Sequence, residues 1–238
     1  MLIVVSPAKK LDYATALPVD DYSMPAMLDQ AQELIDILKD YSPQQVATLM
    51  GLSDKLAGLN VARYGEWALP FTEDNARQAI LAFKGDVYAG MDAYAFKKSD
   101  FNFAQKHLKI LSGLYGLLNP LDLIQPYRLE MGTKLASRAG KNLYDFWGDR
   151  ITEALNEVFT QQKDKHAILL NLASAEYFKS VKKKQLAATV ITPVFKDEKA
   201  GTYKVVGIYA KRARGLMVNY IVKNRIKDVE GIKAFDIE

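Results

Sequence analysis

Apolar and polar positions follow two periods along this chain, and the change from one to the other divides it into strands and helices. Leu2–Val5 is a continuous apolar run of buried-strand length, followed by the loop "SPAKKLDY". "SMPAMLDQAQELIDILKDY" has helical spacing, with Ser23 near its start and Pro25 in the first turn. "SPQQVATLM" predicts a second helix, with Ser42 as N-cap and Pro43 at the first helical position. "TEDNARQAILAF" predicts a third, opened by Thr72 and two acidic residues. "HLKILSG" and "HAILLNLA" predict buried strands, and "YDFWGDRITEALNEVF" an amphipathic helix.

Towards the end, "LAATVITPVF" and "TYKVVGIYA" flank "KDEKAG", which predicts a β-hairpin followed directly by a helix from about Lys211. Between Gly113 and Gly132, "GLYGLLNPLDLIQPYRLEMG" carries three Gly, two Pro and little periodicity. It predicts a long, packed and functional loop. No repeat, low-complexity tract or linker interrupts the chain. Strands and helices mix without a regular βαβ rhythm. The expected fold is α/β (mixed α+β): one domain over residues 1–238, a mixed sheet with surrounding helices, and the C-terminal hairpin and helix.

Composition narrows the chemistry. With 238 residues, 49% of them hydrophobic, the chain is long enough to bury a sizeable core. The absence of cysteine excludes disulfides, thiolate metal sites and thiol catalysis within the chain, and only His107 and His166 offer imidazole. "MLIVV" is too short for a signal peptide and no apolar run reaches the length of a membrane span, so a cytoplasmic protein without a membrane partner is expected. The net charge of +4 is unevenly placed. Residues 1–119 carry 11 Lys+Arg against 14 Asp+Glu, a balance of −3; residues 120–238 carry 21 against 14, a balance of +7. A basic half suits an anionic partner such as nucleic acid or phosphate; a solvated lysine-rich surface accounts for it equally well.

Four constellations are candidates for function. Lys211, Arg212 and Arg214 crowd the expected helix start, where the macrodipole disfavours cations and where free N–H groups favour an anion. A bound phosphate would resolve that conflict; snorkelling over apolar surface or pairing with carboxylates is the structural alternative. Lys223, Arg225 and Lys227 continue the charge, and Lys182, Lys183 and Lys184 form a run before the hairpin. The second constellation, "LMGLSDKLAGLN", fits a helix-hairpin-helix-like element over about residues 43–66 with the turn Met50-Gly51-Leu52. Gly51 would take a positive φ, Ser53 would cap the second helix, Ala57 would let the helices approach, and Lys55 and Arg63 would reach phosphates. Asp54 opposes this, and an ordinary helical corner with a Gly C-cap is the alternative. Third, "SPAK" at Ser6–Lys9 matches S-x-x-K without its companion motifs, a weak signal for a nucleophile; Lys9-Lys10 after a strand end also suits an anion. Fourth, Glu130, Asp145 and Asp149, near Tyr127, Arg128, Tyr144 and Trp147, are oxygen ligands for Mg²⁺ or iron in an alternative hydrolase, nuclease or iron-binding reading. Arg128 and Arg150 neutralising them, or Asp145 capping a helix, is the structural alternative.

Taken together, "SPAKKLDY", "LSDKLAGLN", "NARQAILAFKGDVY", "LSGLYGLLNPLDLIQPYRLEMGTKL", "LYDFWGD", "NLASAEYFKSV" and "YAKRARGLM" resemble the bacterial YaaA family of peroxide stress resistance proteins over nearly the whole chain. The resemblance implies a compact α/β fold with a basic cleft and a helix-hairpin-helix element. It also implies DNA binding and a link to limiting intracellular iron and oxidative DNA damage. It carries no catalytic residue and no cofactor. The hairpin maps onto Met50, Gly51, Leu52 and Ser53, and the basic cleft onto Lys9, Arg128, Lys211, Arg212 and Arg214. Asn119 and Lys10 depart from the family pattern, and a tail of about two dozen residues is expected beyond Glu238. The expected partner is DNA, bound without base-sequence specificity by a monomer.

Overall fold

Leu2–Val5 lies at the centre of a five-stranded sheet, fully buried, as its unbroken apolar run requires. The computed structural model describes residues 1–163, 167–199 and 201–236. The strand order is Gly116–Leu118, Leu108–Ser112, Leu2–Val5, Ile168–Asn171, Thr189–Ile191. All neighbours run parallel except Gly116–Leu118, which folds back antiparallel on Leu108–Ser112. Ile3 pairs with Leu108 on one side and Leu170 on the other, so the central strand is buried between its neighbours as well as on both faces.

The described residues form one compact mixed α/β body with eleven α-helices, and none of these helices is long and apolar enough to cross a membrane. The helices Pro43–Met50 and Asp54–Glu66 pack together at residues 43–66. Ser42 and Gln45 form a reciprocal capping box, and Gly51 ends the first helix at φ 62°. Helix Gly207–Asn224 packs against Asp86–Met91, and its C-terminal end is fastened by Asp100.

Several expectations are corrected. The first helix is Leu28–Lys39; Ser23 instead donates its hydroxyl to Asp122 Oδ1 at 2.6 Å. The stretch from Thr72 is not one helix. Asn75 accepts the Thr72 N–H through its side chain at 2.9 Å and donates to the Pro70 carbonyl at 3.0 Å, which closes a local turn. Arg77–Gln78 then pairs antiparallel with Leu123–Ile124, leaving only Ala79–Ala82 helical. That pairing also explains the long Gly113–Gly132 segment, which carries the strands Gly116–Leu118 and Leu123–Ile124 and is buried through most of its length. The "YDFWGDR" helix breaks at Gly148, φ 52°, into Leu143–Trp147 and Arg150–Gln162. Thr189–Ile191, expected in the hairpin, is taken by the edge of the main sheet, and the hairpin forms from Asp197–Lys199 and Thr202–Lys204. Its expected turn residues are thus its first strand, and Ala200 lies outside the described residues, as do His166 and Glu238.

Candidate anion-binding site

Ser6 and Ser174 follow the carboxyl ends of two adjacent parallel strands. The Ser174 N–H donates to Ser6 Oγ at 2.9 Å, and the two hydroxyl oxygens lie 3.3 Å apart. From the first of these strands the chain goes on to Leu108–Ser112 on one side of the sheet, and from the second to Thr189–Ile191 on the other, the kind of crevice in which open α/β sheets bind ligands. A cavity of about 560 Å³ opens at this point. Tyr88, Tyr127 and Tyr177 line it, all buried, and burial pushes each phenol up so that it stays protonated. Tyr88 donates to the Ser6 carbonyl at 3.1 Å, and Tyr127 shares a hydrogen bond of 2.6 Å with Ser112.

Six cations line the cavity, Lys9, Lys10, Lys84, Arg128, Lys211 and Arg214, against three carboxylates, Asp86, Glu130 and Glu176. Two of the carboxylates are occupied. Glu130 receives Lys9 at 2.9 Å and Arg128 at 3.0 Å, and Glu176 accepts the Gly132 N–H at 2.9 Å. Lys84 reaches Asp12 at 3.0 Å, and the Thr15 N–H and Lys84 hold that carboxyl well below the usual range. Arg214 differs from the others. It is partly buried, burial lowers its pKa, and no hydrogen bond or ion pair engages its guanidinium among the described residues. A desolvated charge without a partner is costly, and an anion entering the cavity would relieve it.

A close helix crossing delivers Lys211 and Arg214 to this place. A methyl group at Gly90 would lie 2.3 Å from the Arg212 carbonyl oxygen, and one at Gly215 would lie 1.9 Å from that of Val87. Only glycine permits that approach. The helix begins at Gly207, four residues before the expected start, so Lys211 belongs to its second turn and the conflict with the macrodipole is weaker than the sequence suggests.

The structure therefore brings together Lys9, Arg128, Lys211 and Arg214 of the expected site residues. Arg212 turns its carbonyl to Gly90 and does not line the cavity. Lys182 and Lys183 are also outside it; Lys183 sits 5.4 Å from the Phe178 ring centroid. Gly51, Ser53 and Lys55 belong to the helix pair at 43–66. Ser53 stands at the N-cap of the second helix, as expected, but its side chain forms no capping hydrogen bond. Arg63 faces a different cavity. Lys9 pairs with Glu130, not with Ser6, so the S-x-x-K spacing forms no nucleophile–base pair. Asp145 and Asp149 do not share one helix, because Gly148 separates them. Asp145 accepts the Lys141 N–H and the Asn142 side chain. Among the described residues no three His, Cys, Asp or Glu side chains gather as a metal site, and Glu130 is bridged by two cations. His107 Nδ1 lies 2.9 Å from the Met1 carbonyl oxygen. Lys223 and Arg225, which extend the basic run in sequence, are engaged by Asp100, each at 2.7 Å. Lys84, Tyr88, Ser174 and Tyr177 were not among the expected site residues, although all four lie in the stretches that carry the family resemblance, and Ser174 also stands just past a buried strand.

Fold and site define an α/β protein with a basic, tyrosine-lined cavity at the carboxyl ends of its parallel strands. Over residues 1–238 the chain matches the family model of peroxide stress protein YaaA, and it belongs to that family. A relative from Colwellia psychrerythraea (strain 34H / ATCC BAA-681), described as a UPF0246 protein, is 60% identical over 237 residues, covering 100% of this chain and 91% of that protein. Membership ties the chain to the response to peroxide stress.

Proposed function

We propose that this protein is a cytoplasmic, monomeric DNA-binding protein that grips the phosphate backbone through the cavity and its basic mouth, and that it limits iron-dependent oxidative damage to the DNA it covers. The observation that carries the reading is Arg214, partly buried and unpartnered among the described residues, beside Lys211 at a cavity with six lining cations. Phosphate oxygens are the natural partners of such a guanidinium. The exposed Gly51 turn, with open space around the glycine, supports a second backbone contact through the helix pair at 43–66. Backbone contacts carry no base information, so binding is independent of sequence. Neutralising phosphates releases condensed counterions, and iron(II) held near the backbone as a counterion would be released with them.

Fluorescence anisotropy with labelled duplexes of unrelated sequence tests this. Comparable affinities for all of them, weakened together in the Lys211→Ala/Arg214→Ala variant, are expected. No binding, or strong preference for one sequence, overturns the reading. Intact DNA after incubation with Mg²⁺ separates it from a nuclease.

A further inference from the structure

A second cavity, of about 480 Å³, shares no lining residue with the first, and its charges are arranged differently. Arg77 lines it and is only 7% exposed. Its Nη2 donates to the Thr15 carbonyl and, at 2.8 Å, to the Tyr94 hydroxyl, both neutral, and its Nε has no partner. Arg63 lines the same cavity, and its one hydrogen bond is a long 3.4 Å contact to Asn60 Oδ1. Burial lowers the pKa of Arg63. Among the described residues neither arginine forms an ion pair. Arg63 and Arg77 thus line this cleft with no carboxylate hydrogen-bonded to either among the described residues, although Glu66 lies near enough to Arg63 to oppose the effect of burial, and Arg77 is almost wholly withdrawn from water.

The rim has the opposite sign. Glu66, Glu73 and Asp74 line the cavity and are exposed, while Trp67 supplies a buried apolar wall. A nucleic-acid phosphate approaching from solvent would meet those carboxylates first, so the cavity does not suit the partner of the basic site. A short molecule with an anion at one end and a cation at the other fits both charges. We propose that this cavity binds a small zwitterion, its carboxylate held by Arg63 and Arg77 and its ammonium by the acidic rim. Carboxylate matches the planar donor fork of arginine, and a single negative charge passes the rim at less cost than a phosphate.

γ-Aminobutyrate, butyrate and butylamine are the probes, followed by amide NMR of the labelled protein over the millimolar range. γ-Aminobutyrate should give saturable shifts at the amides of Arg63, Ala68 and Ala76, and removing either charged end should weaken binding by about tenfold. Arg77→Met is expected to disturb folding because Arg77 ties the Thr15 segment to Tyr94, so Arg63→Gln is the variant used. It should keep the spectrum dispersed and abolish the shifts. Absence of saturable shifts in the unaltered protein, equal binding of butyrate, or undiminished binding by Arg63→Gln would each overturn the proposal. DNA affinity is read separately and is not expected to respond to γ-aminobutyrate.

Discussion

Gly215 meets Val87 so closely that the smallest side chain at Gly215 would stand 1.9 Å from the Val87 carbonyl oxygen. Gly90 returns the contact against Arg212. This paired notch holds the helix carrying Lys211 and Arg214 against Asp86–Met91, which itself lines the cavity through Asp86, Val87 and Tyr88. Gly215→Ala should therefore destabilise the fold by about 2–4 kcal/mol, at or above the usual overpacking range because the clash is with backbone. Urea unfolding measures this. A loss within about 0.5 kcal/mol, typical of an ordinary surface site, would show that the helices do not depend on the notch.

Asp100 fastens the far end of the same helix through Lys223 and Arg225. Burial alone would raise its pKa. Hydrogen bonds from Lys223, the Lys97 N–H and Arg225 outweigh burial and bring it to about 2, from an ordinary 3.8. Because the folded value is the lower one, the contribution is fully present above pH 3.8 and is lost as pH falls from there towards 2. Asp100→Asn should lower stability at neutral pH by about 2–3 kcal/mol, since both partner cations are only partly exposed. Its unfolding free energy should also depend less on pH between those limits. An unchanged acid profile would remove Asp100 from the account.

Arg214 is desolvated without a partner among the described residues, so its removal should not destabilise the free protein. Arg214→Met keeps much of the apolar stem and should leave the melting temperature equal or slightly higher, read by calorimetry without DNA. A marked drop would mean that Arg214 packs structurally.

Gly51 is at φ 62°, and a methyl group placed on its Cα would have nothing within 4 Å, so a side chain there would meet backbone strain without a clash. Gly51→Val should cost about 1–3 kcal/mol by that strain. If the turn contacts phosphate, DNA affinity per folded molecule falls as well. Asp54→Asn, in the first turn of Asp54–Glu66, should tighten DNA binding while costing about 0.3–1 kcal/mol of stability through the lost macrodipole interaction. Unchanged affinity across a salt series would leave residues 43–66 as a helical corner.

What could be read from the sequence was local. Leu2–Val5 and Leu108–Ser112 are continuous apolar runs, and Ser42-Pro43 and Gly51 announce a cap and a turn whose geometry depends on nearest neighbours. The misread elements depend on distant partners. Arg77–Gln78 is drawn out of its helical pattern by Leu123–Ile124, and Thr189–Ile191 out of its hairpin by the sheet edge. The site divides in the same way. Lys211 and Arg214 are visible in the sequence as a cluster, although the macrodipole conflict weakens because the helix begins at Gly207. Lys9 and Arg128 are joined to that cluster in the sequence by the family resemblance alone and meet in space through Glu130, and Lys223 and Arg225 leave the basic set only because Asp100 lies beside them. Pairings across about twenty to more than a hundred residues leave no local pattern.

The central claim, a backbone grip by the basic cavity, is tested most directly by the salt dependence of DNA affinity. Each duplex phosphate neutralised contributes about −0.9 to the slope of log affinity against log salt. The slope should be steep for the unaltered protein and shallower by about 1.8 for Lys211→Ala/Arg214→Ala, since two contacts are removed. A flat slope, or a slope identical in the two proteins, would contradict the account.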